Sequence, residues 1–312
     1  MERKTREMRF DVSAAADLDE PCHIAGTLFP PEAGRAGPPV IALLVPGGGY
    51  TRRYYDLHVD GHAGYSAARR LADRGIVAVA IDSLGTGESS IPEDGTRVTL
   101  DRQAATLAEV ARQLRAAARD GNLVMGMAAG EPVLIGIGHS LGGCTITLQQ
   151  GDHAACDAVA ILGFSCQFIQ TAIDPKTGQR LRPRIPAERA GYNRSDPSSH
   201  RDRFYTASVP IAVIEAEEAA RVPMPDGVAE VLIPGRSAPA AGRIETPVLL
   251  GFGENDVSPD PYAEPGFYRS SHDVTLLILP DAGHAHNSAS GRAGFWRRIG
   301  DWIDSVVAGR EG

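Results

Sequence analysis

Lysine is nearly missing from this 312-residue chain: Lys4 and Lys176 are the only two, and arginine carries the rest of the basic charge. Acids outnumber bases, 39 to 31, for a net charge of −8. That balance disfavours nucleic acid or an anionic membrane as the main partner. Long apolar runs are missing too. No window approaches the ~18 consecutive apolar residues of a membrane span. The first ten residues, MERKTREMRF, have no apolar core for a signal peptide. Cys22, Cys144, Cys156 and Cys166 have no paired metal-ligand spacing and read as buried free thiols. A cytoplasmic location is the expectation. There is no internal repeat, and the glycines have no three-residue period, which excludes a collagen-like chain.

Glycine and proline are what the chain has in excess. Together they make 57 of its 312 residues, about half as many again as average usage. Hydrophobic residues at 43% and charged residues at 22% are ordinary globular values, so disorder is excluded. The length suits one large domain or two modest ones.

Residues 8–13 and 22–29 alternate loosely and read as an opening hairpin. Continuous apolar runs of strand length follow: VIALLVP at 40–46, IVAVAID at 76–82, PVLIGIG at 132–138, DAVAILGF at 157–164, PVLLGFG at 247–253 and VTLLILP at 274–280. Strands buried on both faces of a parallel sheet have this pattern. Between them lie helical periodicities over 60–74 (stopping at Gly75), 101–119, 141–150 and 292–307. The alternation predicts an α/β fold with a mostly parallel, doubly wound sheet.

It breaks over 165–245, which holds nine of the 22 prolines and a basic half with seven arginines from Arg180 to Arg203. A structureless loop of that length is uncommon in a compact domain. The prediction is therefore a core of 1–164 and 246–312 with an inserted lid over 165–245. Within the lid, VPIAVIEA at 209–216 and GVAEVLIP at 227–234 read as short strands.

The strongest motif is Gly138-His139-Ser140-Leu141-Gly142-Gly143, set between a predicted strand and a predicted helix. A turn this sharp needs glycine on either side of the serine. It strains Ser140 and presents its hydroxyl at the head of the helix, where the Leu141 N–H and the helix terminus face any oxyanion. The chain here resembles a serine hydrolase of the α/β-hydrolase superfamily, over everything except 165–245. Val45-Pro46-Gly47-Gly48-Gly49-Tyr50 is similar to the oxyanion loop of that superfamily, with Pro46 in place of histidine. Gly48 is the expected second oxyanion donor, beside Gly49. Asp82-Ser83-Leu84-Gly85-Thr86-Gly87-Glu88-Ser89 resembles a structural turn bracing the active-site loops.

Gly253-Glu254-Asn255-Asp256 resembles the turn that supplies the triad acid. Asp256 is the expected acid, Glu254 the alternative and Glu215 a remoter candidate. Pro280-Asp281-Ala282-Gly283-His284 looks like the loop presenting the base, with His286 the alternative. Ser140, Asp256, His284 is the superfamily's chain order.

The resemblance implies hydrolysis of an ester or lactone of a small organic molecule through an acyl-enzyme, without metal or organic cofactor. Thioesterase, amidase or peptidase, C–C hydrolase and acyltransferase chemistry stay open, as does a non-catalytic binding role. Gly49, with the aromatics Tyr50, Tyr54, Phe164, Phe168 and Phe204, is candidate substrate-binding lining. Nothing decides between a monomer and a homo-oligomer.

Two rival readings are weaker. A dinucleotide turn at Gly136-Ile137-Gly138 needs an acid at the end of the next strand, and Asp157 starts its strand instead. A metal at His284 and His286, or at His58 and His62, lacks the supporting ligands, and Val59 stands where a metalloprotease helix has glutamate.

Overall fold

The computed structural model describes residues 4–310 apart from 33, 34, 36, 171, 174–176, 178, 179, 182–184, 186–188 and 195. Lys176, Pro175, Pro183, Pro186, Arg182 and Arg184, all assigned above to the lid, lie outside the described residues.

The apolar runs form strands β1 (Arg6–Asp11), β2 (His23–Phe29), β3 (Val40–Val45), β4 (Val77–Ile81), β5 (Val133–His139), β6 (Ala158–Leu162), β7 (Val248–Gly253) and β8 (Val274–Leu279). They make one sheet in the order β1-β2-β4-β3-β5-β6-β7-β8. β1 and β2 pair antiparallel, as the predicted hairpin, and β2 runs antiparallel to β4; every other pairing is parallel. Every residue of β3, β4, β5 and β6 is buried, which explains why these strands show no alternation in sequence.

Helices cover both faces. One apolar cluster packs α2 (Leu100–Arg119) and α3 (Leu141–His153) on the sheet; the other packs α1 (Ala67–Ala72) and α5 (Arg292–Gly309). α2 buries Ala104, Leu107, Ala111, Leu114 and Ala118 at helical spacing, and the Thr99 hydroxyl caps its start by accepting from the Arg102 N–H. The helix expected over 60–74 begins only at Ala67. Gly61 and Gly64 adopt φ of +75° and +84°, which no helix accommodates, and Ser66 supplies the cap. No helix among the described residues is long and apolar enough to cross a membrane.

Within 165–245 the two expected strands are not strands. VPIAVIEA forms the helix α4 (Ile211–Ala219), with Pro210 at its N-cap, and it buries Val213, Ile214 and Glu217 on one face. GVAEVLIP lies mostly in a 3-10 turn over Asp226–Leu232, with Gly227 pressed on the Val98 backbone. A short apolar run fits a strand or one helical face equally well, and the proline decided for the helix.

Strand order reverses between β3 and β5, because β4 lies on one side of β3 and β5 on the other. The carboxyl ends of β3 and β5 are therefore adjacent, with Val45 beside Gly138 in register. In open α/β sheets the crevice at such a reversal is where ligands bind.

Candidate active site

Ser140 stands alone between β5 and α3, at φ 55° and ψ −120°. A β-carbon-bearing residue takes that conformation only under constraint. The glycines around it supply the constraint. A side chain on Gly138 would strike the Gly142 backbone, one on Gly142 the Val45 and Pro46 carbonyls, and one on Gly143 would come 2.9 Å from the Phe164 Cβ. The Ser140 N–H donates to the Leu162 carbonyl at 2.8 Å, fixing the turn to β6.

The glycine loop after β3 lies against this elbow. A Cβ built on Gly47 would be 3.1 Å from that of Ser140, and one on Gly48 3.3 Å from Leu141 Cδ2 and 3.0 Å from Met224 Sδ. Leu141 opens α3, so its N–H has no acceptor within the helix.

His284 comes from the loop after β8. Its Nε2 accepts the Ser140 hydroxyl at 2.8 Å, and its Nδ1–H donates to Asp256 Oδ1 at 2.6 Å. His284 is 3% exposed and Asp256 4%. Asp256 follows β7 and accepts three further bonds: from the Gly253 N–H at 2.9 Å, the Val257 N–H at 2.7 Å and His286 Nε2–H at 2.6 Å. Burial alone would raise its pKa. The two imidazoles and their hydrogen bonds outweigh burial and hold the carboxyl well below the usual range.

The alternatives separate cleanly. His286 is buried behind the acid and bonds Asp256, whereas His284 bonds Ser140. Glu254 is exposed and accepts the Asp281 N–H at 3.0 Å; Glu215 is exposed on α4. Asp157 precedes β6, pairs with Arg115 and accepts from the Leu134 N–H. His58 is mostly exposed beside Asp56. Among the described residues no group of three or more His, Cys, Asp or Glu side chains is placed to hold a metal ion.

A family model, the alpha/beta hydrolase family, matches residues 42–295. The chain belongs to the alpha/beta hydrolase family. Membership implies a hydrolase. No curated protein matches the chain. Solved structures share the fold of this alpha/beta hydrolase. A peroxisomal alpha-beta-hydrolase from Saccharomyces cerevisiae is 13% identical, with a TM-score of 0.65 over 99% of this chain and 91% of that one. A thermophilic esterase from Thermogutta terrifontis, with malate bound, is 16% identical, with a TM-score of 0.61 over 96% and 99%. An E-2-(acetamidomethylene)succinate hydrolase is 18% identical, with a TM-score of 0.60 over 96% and 100%. At such identities the likeness is one of fold alone.

The five candidate lining aromatics of this hydrolase have different surroundings. Phe204 stands edge-on to the His284 ring at 4.8 Å. Tyr54 stacks on His139 at 4.6 Å, and His139 in turn donates to the His284 carbonyl at 2.8 Å. Burial, with help from His284 and His286, pushes the His139 pKa well down and keeps that imidazole neutral. Phe164 packs in the core on Gly143, and Phe168 is half-buried. Tyr50 is buried under the Arg221 guanidinium, 4.6 Å from its ring.

Three residues that no sequence motif marked also belong to the surroundings of Ser140, His284 and Asp256. Arg203 donates to the Asp256 carbonyl at 2.6 Å, and its own carbonyl accepts the His284 N–H at 2.8 Å. Glu217 and Arg221 reach the Tyr50 hydroxyl. All three come from 165–245. The expected structural turn does brace the site: the Asp82 carboxylate accepts the Arg52 N–H at 2.7 Å and pairs with the Arg52 guanidinium, just past the glycine loop.

Proposed function

We propose that this hydrolase cleaves a carboxylic ester or lactone of a small organic molecule through an acyl-enzyme on Ser140. The observation that carries the reading is the continuous hydrogen-bonded chain from the Ser140 hydroxyl through His284 to Asp256, starting at a strained turn beside the glycine loop. His284 Nε2 takes the hydroxyl proton as Ser140 attacks the carbonyl, and Asp256 holds the imidazole in the tautomer that leaves Nε2 free to accept. The Leu141 and Gly48 N–H groups stabilise the tetrahedral oxyanion. The protonated imidazole then donates to the leaving alkoxide. In the second half, the same histidine activates the water that releases the acid and restores the serine.

In this reading the segment 165–245 is a cap on the core of 1–164 and 246–312, and it also holds the histidine loop through the Arg203 and Phe204 carbonyls. The test is labelling with a fluorophosphonate: the wild type reacts, and Ser140→Ala does not. Ser140→Ala also lowers ester turnover by about 10⁴-fold or more. A wild type inert to the reagent overturns the reading. A parallel panel of p-nitrophenyl esters, lactones, thioesters and amides decides the scissile bond.

A further inference from the structure

Burying a carboxylate is costly unless its oxygens are hydrogen-bonded. Glu217, 2% exposed on α4, takes no part in the chemistry proposed above, yet both of its oxygens are occupied. The Tyr50 hydroxyl donates to Oε1 at 2.8 Å, and the Ser288 hydroxyl donates to Oε2. These donors belong to different loops. Tyr50 directly follows Gly47-Gly48-Gly49, and Ser288 lies four residues beyond His284.

The Tyr50 oxygen also accepts from Arg221 Nη2 at 2.6 Å, which leaves its proton for Glu217. The Arg221 guanidinium lies 4.6 Å from the Tyr50 ring and 4.7 Å from the Phe204 ring. Next to it, the Val222 N–H donates to the Gly49 carbonyl at 2.9 Å. The glycine loop is thus held from the cap by a backbone bond and by the Glu217 network, and the same carboxylate holds the histidine loop.

We propose that Glu217 is a positioning residue, a single buried carboxylate that fixes the oxyanion loop relative to the loop carrying His284. The proposal rests on the serine-hydrolase reading. Sliding one loop past the other breaks one of the two bonds, since each oxygen serves one loop. An apolar contact would tolerate such a slide, but two directional bonds do not. Oxyanion donors have to sit within a few tenths of an ångström of their working place, which is the precision such bonds supply.

The experiment measures the second-order rate of fluorophosphonate labelling, together with kcat and KM for p-nitrophenyl acetate. In labelling, the Ser140 oxygen bonds to phosphorus, fluoride leaves, the serine proton passes to His284, and the P=O oxygen occupies the oxyanion position. Glu217→Ala is expected to lower the labelling rate and kcat at least tenfold with KM changed less than threefold. Glu217→Gln offers an oxygen to Tyr50 and an amide N–H to Ser288, so it is expected to stay within threefold of wild type.

Labelling by Glu217→Ala within threefold of wild type, or a loss confined to KM, overturns the proposal. If Glu217→Ala does not fold, Tyr50→Phe and Ser288→Ala decide. Each cuts one tie and is expected to slow labelling severalfold, with the double variant no slower than the slower single one. Unchanged rates in both overturn the proposal. A wild type that never labels fails differently, by overturning the serine-hydrolase reading itself.

Discussion

Four donors converge on the carboxylate of Asp256 while none reaches Nδ1 of His139 among the described residues, and the fold favours the charged form of the first group and the neutral form of the second. The folded pKa of Asp256 lies well below 3.8. Its contribution to stability is therefore complete above the unfolded value and is lost as pH falls through the folded one. His139 is also depressed, well below 6.5, but here the neutral form is the one the fold favours. Protonating the unfolded chain below pH 6.5 draws the equilibrium away from the fold by up to about 1.4 kcal/mol per pH unit.

Urea unfolding followed by tryptophan fluorescence separates these windows. Relative to the wild type, His139→Gln has a shallower loss of stability between pH 6.5 and 5. The difference between the wild type and Asp256→Asn stays flat above about pH 5 and shrinks below the unfolded value near 3.8. At this scale the sequence is legible where a residue follows a buried strand: Ser140, Asp256 and His284 stand out in that way, and the structure brings them into one hydrogen-bonded chain. Glu217, Arg203 and Ser288 do not stand out, because their partners lie about 50 to 170 residues away and no local pattern encodes such a pairing. Tyr50 and Phe204 were noticed as aromatics, but the guanidinium against both their rings comes from the cap.

Glycine has two quite different costs in the elements of this fold. In the elbow its missing side chain is space that other backbone occupies, and Gly142 abuts the Val45 and Pro46 carbonyls. Gly142→Ala is expected to destabilise the protein by about 2 kcal/mol or more, as overpacking against fixed backbone does, and to slow fluorophosphonate labelling sharply. Gly294, in the first turn of α5, has an ordinary φ, and a Cβ added there would meet nothing within 4 Å. Gly294→Ala is expected to gain about 0.5–1 kcal/mol, chiefly by restricting the unfolded chain. Thermal unfolding of the two variants checks the pair. The strands of the sheet were readable because full burial leaves unbroken apolar runs, as in Val40–Val45. The cap elements were not: Ile211–Ala219 has too short an apolar run to declare its period, and Gly61 and Gly64 cut a helical pattern that apolar spacing alone suggested.

The molecule as a whole does not divide into a finished catalytic core and a cover. The His284 and Ala285 N–H groups donate to the Arg203 and Phe204 carbonyls at 2.8 and 2.9 Å, so cap backbone anchors the loop that presents the base. Side chains on Gly283 would collide with the same two carbonyls. Arg203 then reaches back to the Asp256 carbonyl, tying the acid loop to the same segment. A cap that only gates access predicts that its removal leaves labelling undiminished or faster. Here removal takes away the acceptors of the histidine loop.

The test replaces 165–245 with a Gly/Ser linker of about a dozen residues. That length suffices because β6 and β7 are parallel neighbours and the connection must run back along the sheet. Circular dichroism establishes whether the strands survive. With the strands intact, fluorophosphonate labelling is expected to be lost. Arg203→Ala, which keeps the backbone carbonyls and removes the side-chain bonds to the Asp256 and Gln170 carbonyls, is expected to fall between that variant and the wild type. Undiminished labelling of a folded linker variant would show that the triad stands without its cap.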